Sequence, residues 1–168
     1  MKFGTDGIRG KFGSDVTLEL AERFGMAFAR NRMAYGARSA IAIGRDTRIS
    51  GTALEEAVAR GISMSGLDSI LAGVIPTPAL SQFVISNKLS GGIMITASHN
   101  PPDDNGIKPL DEFGRKLSSS NINIIQKIVT NRPIISEVDK TKDFDDDFPE
   151  YDYKSIAVKP RKNNPNEI

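Results

Sequence analysis

Apolar residues between positions 17 and 96 follow two alternating patterns. Helical spacing of apolar residues, with Thr17 as a capping residue at the first helix, predicts helices over about 18–31, 51–65 and 79–86. Short, continuously apolar runs predict buried strands at 40–43, 69–74 and 92–96. Strands that alternate with helices in this way are typical of an α/β domain with a doubly wound, mostly parallel sheet and helices on both faces.

Three polar loops, at 44–51, 74–78 and 96–108, each follow one of the predicted strands. In open α/β sheets, ligands bind beyond the carboxyl ends of the strands. Because the three loops would gather at that edge, we expect the functional site there.

The pattern changes beyond Leu117. Residues 118–121 can cap a fourth helix, whose apolar face would hold Ile122, Ile125, Ile128 and Val129. From Asn131 the chain is polar and acidic, with aspartates at 143 and 145–147. We interpret them as a solvated acidic run. We place the domain at residues 1–150 and a linker or disordered tail at 151–168.

Composition narrows the classes of function. The chain has 168 residues, 39% hydrophobic and 26% charged, enough for one domain with a sizeable core. Its formal net charge of +1 gives no strong field, which argues against nucleic acid and a membrane as partners. The absence of cysteine excludes disulfides, a zinc–thiolate site and a cysteine nucleophile. The sequence shows neither an apolar leader nor about 18 consecutive apolar residues, so we expect a cytoplasmic protein.

The loop at 96–108 carries the residues with the most chemistry. Ser98, His99, Lys108 and a glycine-containing turn lie within about ten residues of one another. Several hydrogen-bond donors and a positive charge suit the binding of a phosphate. A hydrolase is the alternative, but adjacent side chains usually point apart, so His99 is poorly placed as a triad-type base for Ser98.

Five segments form an ordered set: 3–10 (FGTDGIRG), 44–51 (GRDTRISG), 75–79 (IPTPA), 95–101 (ITASHNP) and 105–108 (NGIK). Their order and spacing resemble the motifs of the α-D-phosphohexomutase superfamily, with the phosphoglucosamine mutases as the most similar group. The resemblance extends from Met1 to about Leu117. It implies the fold of that superfamily's first domain, which bears a phosphoserine.

The resemblance implies a role for four residues. Ser98 would be the phosphoserine that gives its phosphoryl group to a hexose phosphate and takes another back. His99 and Lys108 match active-site positions, and Lys108 would hold or deprotonate the reacting sugar hydroxyl, which requires a pKa lowered by burial. Arg9 matches an arginine that faces the phosphoserine, where it would spread the charge of the transition state.

The resemblance also implies a cofactor and partners. Mg²⁺ would bind the phosphate of Ser98 together with carboxylates of a second domain, and a glucose or glucosamine 1,6-bisphosphate would be the activator or intermediate. The substrate would be a phosphosugar that the remaining mutase domains help to dock. The resemblance favours glucosamine phosphate as the sugar. The segment 109–111 (PLD) departs from the aromatic residues usual in phosphoglucosamine mutases, so mannose and glucose phosphates stay open as alternatives.

Two interpretations of the whole chain follow. It is either part of a phosphohexomutase, inactive by itself, or a stand-alone, non-catalytic domain whose Ser98 phosphate is a regulatory or binding mark. The charged residues Arg45, Asp46 and Arg48 either take part in the site or form only a structural ion-pair network beside it. Pro76 is expected to shape its loop.

Overall fold

The computed structural model describes residues 2–4 and 7–130, with only the backbone described at residues 2 and 3. Ten elements follow in chain order: β1 (Lys2–Gly4), β2 (Gly7–Lys11), α1 (Leu18–Ala34), β3 (Ile41–Arg45), α2 (Gly51–Ser63), β4 (Ser69–Val74), α3 (Thr77–Ser86), β5 (Gly91–Ile95), β6 (Asp104–Leu110) and α4 (Ser119–Thr130). The predicted domain end at residue 150, the tail at 151–168 and the acidic run at 143–147 lie outside the described residues.

The four predicted helices are all present. Thr17 caps α1, because its Oγ1 accepts a hydrogen bond from the Leu20 amide at 3.1 Å. Pro76 is the N-cap residue of α3, so it shapes this loop as predicted. The apolar face of α4 is buried at Ile122, Ile125 and Val129. No described helix is long and apolar enough to cross a membrane.

The strands form a six-stranded sheet in the order β1-β2-β6-β5-β3-β4. β3 is parallel to β4 and β5, as predicted. β6 is antiparallel to β5 and β2, and β1 is antiparallel to β2. The α/β class is confirmed, but the sheet is mixed rather than mostly parallel. The loop at 96–103 is too short for the crossover of about a dozen residues that a parallel neighbour needs, so β6 runs back along β5.

Two strands differ from the sequence prediction. The sequence predicts a polar loop over 96–108, yet residues from Asp104 onward form β6, which pairs with β2 on one side and β5 on the other. The predicted buried strand at 69–74 is β4, which lies at the edge of the sheet. Because an edge strand is covered less completely, Leu71 and Val74 are 54% and 56% exposed.

Helices cover both faces of the sheet, as predicted. α1, α2 and α4 share one core with Ile43 and Ile93 of the central strands. α3 lies on the other face, where Leu80 and Val84 share a smaller core with Met94. Successive residues of a strand point to opposite faces, so both cores draw on the same central strands. The carboxyl ends of β3 and β5 then lie at one edge, where their loops meet.

Candidate active site

The polar loops after β3 and β5 are joined by hydrogen bonds at one edge of the sheet, as the sequence predicts. The amide of Asp46, just after β3, donates a hydrogen bond to the carbonyl of Ile95 at the end of β5, at 3.0 Å. The loop after β4 joins them, since the amide of Ile75 donates to the carbonyl of Arg45 at 3.0 Å.

Ser98 is exposed in the loop that follows β5. Its backbone φ of 59° lies in the left-handed region, which residues other than glycine seldom adopt. The Ser98 amide donates to Oγ1 of Thr96 at 2.9 Å, and the Ser98 carbonyl accepts from Nη2 of Arg48 at 3.1 Å. Both backbone groups of the candidate nucleophile are therefore held.

Arg9 contacts the loop that carries Ser98. It lies in β2 opposite Gly106 of β6, and its Nη1 donates to Oδ1 of Asn100 at 3.2 Å. The amide nitrogen of the same asparagine donates to the Asp104 carboxylate at 2.8 Å. Asn100 thus links a cationic side chain of β2 to the Ser98 loop. The structure brings Arg9 to this loop, while its role toward a phosphate stays a prediction.

Lys108 lies on the same face of the sheet as Arg9. Residues paired across two strands share a face, and so do residues two apart in one strand. Arg9 is paired with Gly106, and Lys108 follows two residues later in β6, half-buried and opposite Met94 of β5. The two predicted cations therefore stand on one face of neighbouring strands, and of the two Arg9 has an observed contact with the Ser98 loop.

His99 is exposed. The described residues Ser98 and His99 share no side-chain hydrogen bond, so their geometry gives no support to a Ser–His hydrolase. The roles of His99 and Lys108 in phosphoryl transfer stay predictions.

The charged residues of the 44–51 segment make two separate sets of contacts, one with α2 and the other with the 98–104 stretch. Arg45 pairs with Glu55 of α2 at 3.0 Å. Asp46 and Arg48 pair with each other at 3.1 Å. The guanidinium of Arg48 also donates to four backbone carbonyls of the 98–104 stretch, those of Ser98, Asn100, Pro101 and Asp104. The Asp46–Arg48 pair is thus more than a surface ion pair.

One comparison decides the family of this chain. Residues 1–133 match the family model described as phosphoglucomutase/phosphomannomutase, alpha/beta/alpha domain I. The chain belongs to the phosphoglucomutase/phosphomannomutase family. This confirms the resemblance of the five segments and identifies the described part of the chain as a domain I.

The relatives of this domain I include two phosphoglucosamine mutases. That of Prochlorococcus marinus strain MIT 9312 is 47% identical over 127 residues, 76% of this chain and 28% of that protein. That of Aromatoleum aromaticum is 47% identical over 121 residues, 68% of this chain and 27% of that protein. The crystal structure of a phosphoglucomutase/phosphomannomutase family protein from Burkholderia thailandensis matches with a TM-score of 0.66 at 30% identity, over 74% of this chain and 29% of that one. The chain thus spans less than a third of each of these relatives.

The donor atoms of the described residues do not by themselves make a magnesium site. Within the described residues no group of three or more His, Asp or Glu side chains lies together in a way that could hold a metal ion. Asp46 is paired with Arg48, and Asp104 accepts a hydrogen bond from Asn100. Ser98 remains the predicted metal contact through its phosphate, and the carboxylates would have to come from elsewhere.

The sequence did not single out several residues that organise this site. Thr96, Asn100 and Asn105 stand inside the recognised segments, but their types alone gave no sign of a role. Asn105 is fully buried and donates to Oγ of Ser50 at 2.8 Å. Because Ser50 precedes α2, this bond connects the 44–51 segment to β6. A signal was available in the motifs themselves, which place all these residues in matched segments.

Proposed function

We propose that this domain I carries the phosphoserine of a phosphosugar mutase that interconverts hexose 6-phosphate and hexose 1-phosphate. The observation that carries the proposal is the setting of Ser98, an exposed serine in a left-handed conformation at the carboxyl end of β5. Arg9 contacts the Ser98 loop through Asn100, and Lys108 lies on the same face of the sheet in the neighbouring strand. The names of the relatives favour glucosamine phosphate as substrate, with mannose and glucose phosphates as alternatives.

In the proposed reaction, phosphoserine 98 gives its phosphoryl group to a free hydroxyl of the hexose phosphate. The bond from phosphorus to Oγ breaks, a bond from phosphorus to the sugar oxygen forms, and the hydroxyl proton passes to a base, for which Lys108 is our candidate. Ser98 leaves as an alkoxide and takes up a proton. The sugar 1,6-bisphosphate then turns, and the Ser98 hydroxyl loses its proton to a base as its Oγ bonds to the other phosphorus. The bond from that phosphorus to its sugar oxygen breaks, and the sugar oxygen takes up a proton. Arg9 would offset the negative charge of the moving phosphoryl group.

Ser98 is expected to carry a phosphate. The probe is a fusion protein, defined as residues 1–133 of this chain joined to the part of the P. marinus MIT 9312 phosphoglucosamine mutase that follows its matching segment. After incubation with glucose 1,6-bisphosphate, intact-mass and peptide mass spectrometry should place one phosphate on Ser98. The Ser98→Ala fusion protein should stay unmodified. A stable phosphate on another residue, with Ser98 bare, would overturn the assignment.

A second candidate function is a stand-alone phosphoserine domain that serves as a binding mark. The observation in its favour is the short match, since the chain spans 28% of the P. marinus relative. Both candidates require a phosphate on Ser98, but only the mutase requires that the phosphate move to a sugar. Transfer of a ³²P label from Ser98 to the sugar upon addition of glucosamine 6-phosphate to the labelled fusion protein favours the mutase. A label that stays on Ser98 through many hours of this treatment favours the binding mark.

Arg9→Ala is expected to lower the melting temperature of the phosphorylated domain more than that of the unphosphorylated one. The phosphate adds about −1.5 to −2 charges at neutral pH, and Arg9 is a cation already in contact with the loop. A charge-assisted hydrogen bond contributes roughly 1.5–3 kcal/mol, less where water reaches it. The measurement is the thermal melting of four forms of the 168-residue chain. They carry arginine or alanine at position 9, each with and without genetically encoded phosphoserine at position 98.

The matched control is Arg38→Ala, which removes an exposed arginine just before β3, at the opposite end of the strands. Arg38→Ala should change the melting temperatures of the phosphorylated and unphosphorylated chains by similar amounts. If Arg9→Ala lowers the melting temperature of both forms equally, Arg9 only braces the loop through Asn100 and has no role toward the phosphate.

A further inference from the structure

The Asp46–Arg48 pair holds Ser98 by both of its backbone groups. On one side, the Ser98 amide donates to Oγ1 of Thr96 at 2.9 Å, and the same hydroxyl donates to Oδ2 of Asp46 at 2.6 Å. On the other side, the Ser98 carbonyl accepts from Arg48 at 3.1 Å. Asp46 and Arg48 are themselves paired at 3.1 Å. Ser98, Thr96, Asp46 and Arg48 thus form a closed ring of hydrogen bonds. We propose that Asp46 and Arg48 are positioning residues that fix the backbone of Ser98 for phosphoryl exchange.

The conformation of Ser98 explains why such a device is needed. A left-handed conformation costs a residue with a Cβ atom free energy, and it persists where the surroundings over-determine it. With φ at 59°, Ser98 is one of two described residues other than glycine with positive φ, the second being Lys88. The ring supplies the constraint at Ser98 from both sides. Without it, we expect the serine to relax toward commoner backbone conformations.

The guanidinium of Arg48 suits this task better than an ammonium group would. It has five N–H donors in a rigid plane, and here they reach the Asp46 carboxylate and four loop carbonyls at once. The Arg48 side chain is only 11% exposed, so these contacts are largely shielded from water. A lysine would keep the charge but offers three donors from a single atom, and it could not reach all five acceptors.

The bond to Arg48 also sets the direction of the next amide. The described chain has no cis peptide bonds, and in a trans peptide the C=O and N–H point in opposite directions. Because the Ser98 carbonyl points to Arg48, the amide of His99 points away from it. The proposal therefore assigns a second effect to Arg48, which is to turn the His99 amide outward as a donor for a phosphate on Ser98. This effect rests on the proposed function, whereas the positioning of the backbone does not.

The alternative is that the pair only stabilises the fold, and Arg32 provides the matched control. Arg32 is also a buried arginine, with its side chain 5% exposed, and it pairs with Glu112 and donates to the carbonyl of Ser90 at 2.9 Å. Ser90 precedes β5, so these contacts lie at the end of the strand opposite Ser98. Arg48→Lys and Arg32→Lys therefore make the same chemical change in similar surroundings. Only the first is expected to alter Ser98.

The first test uses amide hydrogen exchange and chemical shifts of the ¹⁵N-labelled 168-residue chain. Arg48→Lys and Thr96→Val should shift the Ser98 and His99 signals and speed exchange of the Ser98 amide by about tenfold or more. Arg32→Lys should leave both unchanged, and Thr96→Ser, which keeps the hydroxyl, should restore the native signals. Unchanged Ser98 signals in Arg48→Lys, or equal changes in both lysine variants, would overturn the proposal. If either Arg48→Lys or Thr96→Val fails to fold, the other of these two variants still tests the proposal.

The second test measures phosphoryl transfer by the fusion protein with glucosamine 6-phosphate. Arg48→Lys should lower kcat by about 100-fold, as misplacement of a reacting group by about 1 Å can do. KM should stay within about twofold, and Arg32→Lys should change neither. A rise of KM with unchanged kcat in Arg48→Lys contradicts a positioning role, and so does an equal loss of kcat in Arg48→Lys and Arg32→Lys. If the unsubstituted fusion protein transfers no phosphoryl group, the proposed function fails, and the amide measurements decide the positioning of Ser98 separately.

Discussion

The 168-residue chain alone is expected to convert no measurable glucosamine 6-phosphate to the 1-phosphate, while the fusion protein does. Holding substrate and catalytic group in the reacting geometry contributes roughly 7–11 kcal/mol, which corresponds to a factor of about 10⁵ or more in rate. The chain spans 28% of the P. marinus relative, and its described residues contain no cluster of acidic or histidine side chains suited to a metal ion. The measurement is a coupled assay of 1-phosphate formation at equal concentrations of the two proteins.

Two further samples make this comparison decisive. The Ser98→Ala fusion protein should be as inactive as the chain alone, which assigns the turnover to the phosphoserine. Phosphorylated chain mixed with the unfused remainder of the relative should stay near background, because the two parts are not held together. Turnover by the pure 168-residue protein would contradict the prediction and show that domain I holds substrate by itself.

The parts of the fold that the sequence predicted are those with strong apolar periodicity. The helices have apolar residues at helical spacing because one face of each is buried. The central strands β3 and β5 have continuous apolar runs because both of their faces are buried, whereas β4 has such a run although it lies at the edge of the sheet. Thr17 marked the start of α1 through a capping bond that its residue type favours. The meeting of the loops after β3 and β5 followed from the parallel strands alone.

β6 was missed because its sequence has little intrinsic preference for a strand. Asn105, Gly106 and Pro109 are poor strand formers, and they lie in a segment that reads as polar loop. The strand forms since β2 and β5 pair with it on both sides. Gly106 fits this place because a Cβ atom there would stand 2.7 Å from the carbonyl oxygens of both Ile8 and Thr96. Such pairing depends on residues distant in sequence, so local pattern cannot indicate it.

The ring of hydrogen bonds around Ser98 could not be predicted from the sequence for a related reason. Sequence shows that Asp46 and Arg48 carry opposite charges, but the acceptors of Arg48 are backbone carbonyls about fifty positions away. Every residue has a backbone carbonyl, so residue type does not indicate which carbonyls accept hydrogen bonds from Arg48. The family resemblance located the segments that meet and predicted their key side chains. It did not indicate which of those segments holds the others in place.

The two helices α1 and α2 approach each other closely through a glycine on each helix, Gly25 in α1 and Gly61 in α2. A Cβ atom on Gly61 would stand 1.9 Å from the carbonyl oxygen of Glu22, and one on Gly25 would stand 2.3 Å from that of Val58. Both distances are far below any van der Waals contact, and both obstacles are backbone atoms. An added methyl group would therefore have to separate the helices.

Gly61→Ala is expected to lower the free energy of unfolding by about 2 kcal/mol. Helix propensity alone favours alanine by about 1 kcal/mol, but overpacking against backbone costs typically about 1–3 kcal/mol and here reaches the upper end. The melting temperature should fall by about 4–8 °C. Ser63→Ala, at an exposed site of the same helix, should change it little. A higher melting temperature in Gly61→Ala would mean that propensity outweighs contact. A lower one, together with altered Ser98 signals, would show that displacement of α2 reaches the site through Ser50 and Asn105.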